Sequence, residues 1–304
     1  MKTVLVASKT CRAIAPAEEL IARFAQAGLQ AELGSLADRP DCLERCDAVV
    51  LGTEIMDETR LRAGKNLKLV CKFGVGLDNI DQAAAQTLGI AVRNLPAVNS
   101  GAVAELAFGL MLTLARRIAE GDRAVRSGAW PRLVGTTLRG KTLGILGTGA
   151  IGSTLARLSS GFGMKLLGYD AMENPAFLSA GGAYAPLDQV LAQADFVSVH
   201  LPLNDATRNC IGARELGLMK PTAILINTAR GGLVDEAALE EALRAGRLAG
   251  AGLDVLAHEP PSESPLLGME QVICTPHIAA YDDATLRHML ERCIETLTDF
   301  LNEK

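Results

Sequence analysis

The chain has 304 residues, of which 49% are hydrophobic, and it carries a formal net charge of -5. This length allows one large domain or two medium ones with a sizeable core, and the negative charge argues against a surface that binds nucleic acid. No apolar run is long enough to span a membrane, and the amino terminus lacks the long apolar segment and cleavage site of a signal peptide.

Strand-like and helix-like segments then alternate along the chain. The pattern predicts strands at 3–8, 47–53, 67–74 and 90–96 and helices at 15–28 and 80–89. From 100 to 128 apolar residues recur at helical spacing, which predicts one long helix. A second series of strands and helices follows, and the chain closes on a predicted helix at 283–302.

Alternating units of this kind predict parallel sheets covered by helices on both faces. We therefore predict an α/β protein with two doubly wound parallel-sheet domains. The first comprises residues 1–98, with the carboxy-terminal helix 283–304 returning to it, and the second comprises residues 99–282. The cysteines are scattered and odd in number, which favours reduced thiols in a cytoplasmic protein.

The segment "LGILGTGAIG" places Gly147, Gly149 and Gly152 at G-x-G-x-x-G spacing between an apolar strand and a helix. The first glycine permits a tight turn, the second lets the backbone approach a pyrophosphate, and the third allows close packing of helix and strand. The next strand ends in Asp170, where a carboxylate would meet ribose hydroxyls and repel a 2′-phosphate. The pattern favours NAD over NADP; a glycine-rich turn without a ligand is the alternative.

Three later strands end in residues that can carry chemistry: Arg230 follows one, Asp254 and Glu259 follow the next, and His277 follows the third. Ligands of doubly wound sheets bind beyond the carboxyl ends of the strands. An arginine can hold a carboxylate through two hydrogen bonds, and a histidine paired with a carboxylate can exchange a proton near neutral pH. Together they suit hydride transfer between a 2-hydroxy acid and a nicotinamide, although each residue alone also fits an ordinary loop.

The motifs "LGTGAIG", "NTARGGLVDE", "GLDVLAHEPP" and "TPHIAA" together resemble the D-isomer-specific 2-hydroxyacid dehydrogenase family, most closely its phosphoglycerate dehydrogenase branch in the short form. "KFGVGLDNID" and "NSGAVAELAFGLMLTLAR" extend the resemblance over nearly the whole chain. The resemblance implies a flavodoxin-like substrate-binding domain, a Rossmann NAD-binding domain, a homodimer, and an oxidoreductase that interconverts a small 2-hydroxy acid and its 2-oxo acid.

The resemblance also implies roles for single residues. Arg230 would bind the substrate carboxylate and C2 oxygen, and His277, held by Glu259, would be the general acid and base. The implied substrate-binding residues are Val75, Gly76 and Asn99. The implied cofactor-binding residues are Gly147, Gly149, Ala150, Ile151, Gly152, Asp170, His200, Pro202, Thr207, Thr228, Ala229, Asp254, His277 and Ala279. We expect no metal, because Cys42 and Cys46 have no second Cys or His pair nearby.

The sequence leaves the substrate open. The resemblance points first to 3-phosphoglycerate dehydrogenase. Against that substrate, the loop "TEIMDE" carries Glu54 where that branch usually has an arginine, and Lys72 precedes "FGVG" where arginine is frequent. A carboxylate facing a phosphate is unfavourable. Glyoxylate, hydroxypyruvate or another small 2-oxo acid is the alternative. A non-catalytic NAD-sensing interaction protein would keep the same motifs, whereas Glu259 argues against a formate-dehydrogenase-like enzyme.

Overall fold

The structure is a computed structural model that describes residues 1–302. Its backbone divides into two compact units. Unit 1 comprises Met1–Asn99 together with residues 280–302, and unit 2 comprises Ser100–Ala279. The sequence pattern predicts the corresponding boundaries at 98/99 and 282/283. The assignment of unit 1 to the substrate and unit 2 to the cofactor stays a prediction.

The regular elements alternate between strand and helix along both units. The strands are β1 (Lys2–Val6), β2 (Leu29–Leu33), β3 (Ala48–Leu51), β4 (Leu69–Lys72), β5 (Ala91–Arg93), β6 (Thr142–Leu146), β7 (Lys165–Tyr169), β8 (Gly182–Tyr184), β9 (Phe196–Val199), β10 (Ile224–Asn227), β11 (Gly250–Leu253) and β12 (Val272–Cys274). The helices are α1 (Lys9–Arg12), α2 (Ala17–Gln26), α3 (Pro40–Arg45), α4 (Glu58–Ala63), α5 (Gln82–Thr87), α6 (Ser100–Ala115), α7 (Ile118–Arg126), α8 (Ala150–Ser160), α9 (Pro175–Ser179), α10 (Leu187–Gln193), α11 (Ala213–Leu218), α12 (Glu236–Arg244) and α13 (Asp283–Asn302).

Unit 1 contains a five-stranded parallel sheet in the order β2-β1-β3-β4-β5. This is the flavodoxin-like order. Every residue of β3 and β4 is buried, as expected for central strands covered on both faces. On one face, Leu290 and Leu297 of α13 join Leu20 and Phe24 of α2 in an apolar cluster. The "FGVG" turn follows directly on the carboxyl end of β4.

Unit 2 contains a seven-stranded parallel sheet in the order β12-β11-β10-β9-β6-β7-β8. The chain order reverses between β6 and β9, which is the Rossmann arrangement with one added strand. Two helix layers cover it, and α6 packs against α8, β10 and β11. The predicted fold class is confirmed for both units. In such sheets the ligand crevice lies outside the carboxyl ends of the strands on either side of the reversal.

The predicted single helix over 100–128 is wrong. The helix α6 ends at Ala115 and α7 begins at Ile118, with Arg117 in the left-handed region at φ 53°. The carbonyl of Ala115 accepts a hydrogen bond from the N–H of Thr136 at 2.7 Å. The segment at Thr136 thus occupies a carbonyl at the end of α6, and the helix ends there. None of the helices in residues 1–302 combines the length and apolarity needed to cross a bilayer.

Candidate active site

The glycine-rich loop follows β6 and opens α8. Gly147 has φ 94°, and a Cβ there would lie 2.6 Å from the carbonyl carbon and oxygen of His200. A Cβ on Gly152 would lie 2.1 Å from the Gly147 oxygen, which explains the tight packing of helix on strand. At Gly149, in contrast, no atom of the described residues other than its chain neighbours lies within 4 Å of an added Cβ. Gly147 and Gly152 thus have no room for a side chain, whereas the space at Gly149 is open. A pyrophosphate would approach the N–H groups of α8 there.

Asp170 lies at the end of β7 and is held by this loop. Its Oδ2 accepts hydrogen bonds from the backbone N–H of Thr148 at 2.7 Å and from its hydroxyl at 3.2 Å. Its Oδ1 accepts from the N–H of Ala171 at 2.7 Å. The carboxylate expected at the adenosine ribose is therefore fixed beside the glycine-rich turn, which fits a dinucleotide site.

Two polar side chains near the carboxyl edge of the unit 2 sheet are incompletely satisfied. Within residues 1–302, Nδ1 of His200 and Oγ1 of Thr228 are shielded from solvent without a hydrogen-bond partner. Burial lowers the pKa of His200 to about 4, so the ring is neutral at physiological pH. Its Nε2 lies 2.9 Å from the hydroxyl of Ser198. Unsatisfied buried atoms are rare in folded proteins, and their position here fits a ligand.

The remaining predicted cofactor residues are placed by their local turns. The hydroxyl of Thr207 donates to the carbonyl of Pro202 at 2.6 Å, which closes the loop after β9. Ala150 is exposed and Ile151 is half-buried at the start of α8. Ala229 donates its N–H to Oδ1 of Asn227 at 3.1 Å. These contacts show how the residues are held, and their contacts with the cofactor stay predictions.

Arg230 is presented by a turn that the buried Asn227 builds. Besides binding Ala229, Asn227 donates its side-chain amide to the Arg230 carbonyl at 2.8 Å. A Cβ on Gly231 would lie 2.0 Å from the Leu256 carbonyl carbon, so only glycine lets these two segments meet. This close approach brings Arg230 near Glu259, and the charge of the guanidinium helps to lower the pKa of that carboxyl group.

His277 and Glu259 form a hydrogen-bonded pair. Nδ1 of His277 lies 2.6 Å from Oε2 of Glu259, whose Oε1 accepts from the N–H of Leu256 at 3.1 Å. Burial alone would raise the pKa of Glu259, but the hydrogen bond and charge of His277, the Leu256 N–H and the charge of Arg230 lower it. An ionised carboxylate only accepts hydrogen bonds, so Nδ1 carries the proton. Nε2 is then the ring atom that can act on a substrate.

Asp254 shapes the loop that carries His277. It is 1% exposed, and its carboxylate accepts hydrogen bonds from the Thr275 hydroxyl at 2.6 Å and from the N–H groups of Ile278 and Ala279 at 2.9 Å each. The N–H of His277 binds the Asp254 carbonyl at 2.9 Å, and the residue adopts φ 54°. A histidine in this left-handed region is strained and persists only where its surroundings enforce it. The predicted contact of Asp254 with the nicotinamide stays a prediction.

Comparison with known proteins identifies the family. The model for the NAD binding domain of the D-isomer specific 2-hydroxyacid dehydrogenases matches residues 108–279. The chain belongs to this family. The protein is therefore an NAD-dependent oxidoreductase that acts on 2-hydroxy or 2-oxo acids, and the residues that match the NAD binding domain lie within unit 2.

Relatives of known name agree with this assignment. The dehydrogenase is 43% identical over 264 residues to the glyoxylate reductase of Korarchaeum cryptofilum, covering 84% of this chain and 80% of that one. It is 40% identical over 271 residues to the D-3-phosphoglycerate dehydrogenase of Archaeoglobus fulgidus, covering 86% of this chain but 51% of that one. A structure of D-lactate dehydrogenase from Aquifex aeolicus complexed with NAD and lactic acid superposes with a TM-score of 0.87 at 28% identity, covering 99% and 96% of the two chains.

In unit 1 the predicted substrate residues of the dehydrogenase follow β4. Val75 and Gly76 are half-buried, and the carbonyl of Val75 accepts a hydrogen bond from the Asn94 side chain at 2.6 Å. Because Asn94 holds this carbonyl, the N–H of Gly76 in the same peptide group has a defined orientation. Oδ1 of Asn99 is shielded and has no partner among residues 1–302. Contacts of these residues with the substrate stay predictions.

Lys72 and Glu54 are both engaged by the backbone of unit 1. The buried ammonium of Lys72 binds the Gly52 carbonyl and, at 2.7 Å, Oδ1 of Asn79. The carboxylate of Glu54 accepts the N–H of Gly52 at 2.7 Å and the N–H of Lys9 at 3.2 Å. The cation at the position before "FGVG" and the acidic side chain of the loop "TEIMDE" thus both bind the backbone of Gly52, the residue before that loop.

Cys42 and Cys46 are buried free thiols of unit 1. Within residues 1–302 no cluster of His, Cys, Asp or Glu is arranged to hold a metal ion. Burial raises the pKa of Cys42 to about 12 and that of Cys46 to about 11. These two residues are therefore protonated thiols near neutral pH.

Proposed function

We propose that this dehydrogenase reduces a small, unphosphorylated 2-oxo acid of the glyoxylate or hydroxypyruvate type. The observation that carries the proposal is the carboxylate of Glu54, which is fixed by the N–H of Gly52, the residue whose carbonyl Lys72 binds. A phosphorylated substrate needs cations at its phosphate, and a fixed carboxylate there would repel it. The glyoxylate reductase relative, matched over most of both chains, supports the same substrate class.

The side chains of unit 2 provide the proton and charge chemistry of the reduction. Bound NADH supplies the hydride that C2 of the 2-oxo acid receives. His277 donates the Nε2 proton to the C2 oxygen as that oxygen gains charge. Glu259, ionised and bound to Nδ1, stabilises the protonated ring before transfer. Arg230 pairs with the substrate carboxylate and polarises the C2 oxygen through its fork of N–H donors.

The substrate class is tested by initial rates with NADH across matched pairs of 2-oxo acids. We expect kcat/KM for hydroxypyruvate to exceed that for its phosphorylated form by at least about tenfold, which is about 1.4 kcal/mol of discrimination. Glu54→Gln should narrow this ratio because it removes the repelling charge, whereas Glu58→Gln, an exposed glutamate in α4, should leave it unchanged. A preference for the phosphorylated acid would refute the assignment. Binding of NADH without turnover of any acid would favour an NAD sensor.

We also propose that the dehydrogenase is a homodimer. In α7 no residue is buried, and large apolar side chains project from this region: Ile118 is 55% exposed, Val125 51%, and Trp130 and Val134 85% each. Exposed apolar groups of this kind mark contact surfaces. Light scattering should give twice the chain mass, and Trp130→Glu should shift it toward the monomer. A monomeric wild-type protein would rule the dimer out.

A cytoplasmic location is proposed from the thiols. All cysteines are free, including Cys71 and Cys293, whose sulfur atoms lie 3.5 Å apart in the core of unit 1. Adjacent unlinked thiols suit a reducing compartment. Fractionation of the source cells tests this, and recovery outside the cytoplasm would contradict it.

A further inference from the structure

A chain of hydrogen bonds leads to Asp170 from a residue outside every predicted site. The N–H of Asn174 donates to Oη of Tyr184 at 2.7 Å, Oη lies 2.6 Å from Oγ1 of Thr148, and Oγ1 lies 3.2 Å from Oδ2 of Asp170. The N–H can only donate and the carboxylate can only accept. Tyr184 therefore donates to Thr148, and Thr148 donates to Asp170, so the direction of each hydrogen bond is fixed.

The packing around this chain leaves its members little freedom. Thr148 is fully buried, and the ring of Tyr184 meets the buried ring of Phe177 edge to face with centroids 5.1 Å apart. A Cβ on Gly168 would lie 2.6 Å from the Phe177 ring and 2.9 Å from the methyl carbon of Thr148. The glycine in β7 thus provides the space in which the methyl group and the aromatic ring fix the two hydroxyl groups.

Asn174 ties the segment after Asp170 to the same loop. Its side-chain amide donates to the Thr148 carbonyl at 2.8 Å, and its Oδ1 caps α9 by accepting the N–H of Ala176 at 2.9 Å. The residues between, Ala171 to Glu173, include no cation and one acid. A 2′-phosphate next to Asp170 would need either a positive side chain here or displacement of a segment that is held at both ends.

We infer that Tyr184 and Thr148 are a positioning pair that holds Asp170 toward the ribose hydroxyls and so sets the selectivity for NAD over NADP. The inference rests on NAD binding by unit 2. It does not depend on the 2-oxo acid that the dehydrogenase reduces. Asp170 would make the contact with the cofactor, whereas Tyr184 acts through Thr148.

The test measures dissociation constants of NADH and NADPH by nucleotide fluorescence, without a 2-oxo acid. Tyr184→Phe keeps the ring against Phe177 and removes only the hydroxyl, and Thr148→Val keeps the buried shape. Each should weaken NADH binding about three- to tenfold and change NADPH binding less, because one net hydrogen bond is lost. The Kd ratio of NADPH to NADH should fall by about threefold or more. The double variant should be no worse than either single variant, since both break the same chain.

Controls separate positioning from general loss of structure. Tyr169→Phe alters a tyrosine that packs against the apolar cluster around Leu146 and Val190, whereas Tyr184 packs against a separate cluster that contains Phe177, so it should keep the wild-type ratio. Thr148→Ser keeps the hydroxyl and should preserve selectivity. An unchanged ratio in both Tyr184→Phe and Thr148→Val, or equal weakening of both nucleotides, would overturn the inference. Because no turnover is measured, failure of the proposed substrate leaves this result unaffected.

Discussion

Replacing His277 by alanine is expected to lower kcat for 2-oxo acid reduction by about 10²–10⁴-fold, the usual contribution of a positioned acid or base. The reason is the fixed geometry at this residue: Nδ1 is bound by Glu259 at 2.6 Å, which leaves Nε2 for the substrate oxygen. The Kd of NADH should change far less than kcat, because His277 is only one of the many residues implied in cofactor binding. Steady-state rates and nucleotide fluorescence measure the two quantities separately.

His258 supplies a matched control, because it is an exposed loop histidine next to Glu259 in the chain. His258→Ala should retain nearly full kcat. Glu259→Gln should give an intermediate rate, since the amide can still accept from Nδ1 but no longer carries the charge that stabilises the protonated ring. Near-normal turnover in His277→Ala would remove the proton-transfer role from this residue, and an equal loss in His258→Ala would point to damage to the whole loop.

The sequence predicted those parts of the fold that depend on local patterns. The apolar strand before Gly147 and the helix over 283–302 lie where the structure has β6 and α13, since apolar spacing and turn residues define both. The edge strands β2 and β8 were not predicted. They are partly exposed, so they lack the continuous apolar run of the central strands. The break after Ala115 depends on Thr136, a partner that helical spacing cannot show.

The same distinction applies to the site. The spacing of Gly147, Gly149 and Gly152 with a distal Asp170 is a local signal, and the structure shows the tight and open positions that this motif requires. The residues that hold the functional groups were missed. Asn227 shapes the Arg230 turn, and Tyr184 reaches Thr148 across 36 residues of sequence. Such contacts depend on which strands become neighbours, and a threonine or tyrosine alone carries no sign of them.

Arg230→Ala should raise KM for the 2-oxo acid and lower kcat/KM by about 10²-fold or more. Hydrogen bonds to a charged group contribute about 1.5–3 kcal/mol each, and a carboxylate held in a fork makes two. Arg230→Lys should recover only part of the loss, because an ammonium keeps the charge without the planar fork. The Kd of NADH should change little, and Arg247→Ala, a surface arginine paired with Glu241, should behave as wild type.

Arg230→Ala should also change the pKa of Glu259. This change distinguishes a role of Arg230 at the acid–base pair from a role in substrate binding alone. The guanidinium is one of the groups that lower the pKa of Glu259, so its removal should raise that pKa toward the ordinary carboxyl value. The acidic limb of the kcat/KM profile should then move to higher pH, since Glu259 must be ionised to hold His277. Loss of NADH binding with an unchanged KM for the acid would contradict both roles. A raised KM with an unmoved acidic limb would confine Arg230 to the substrate carboxylate.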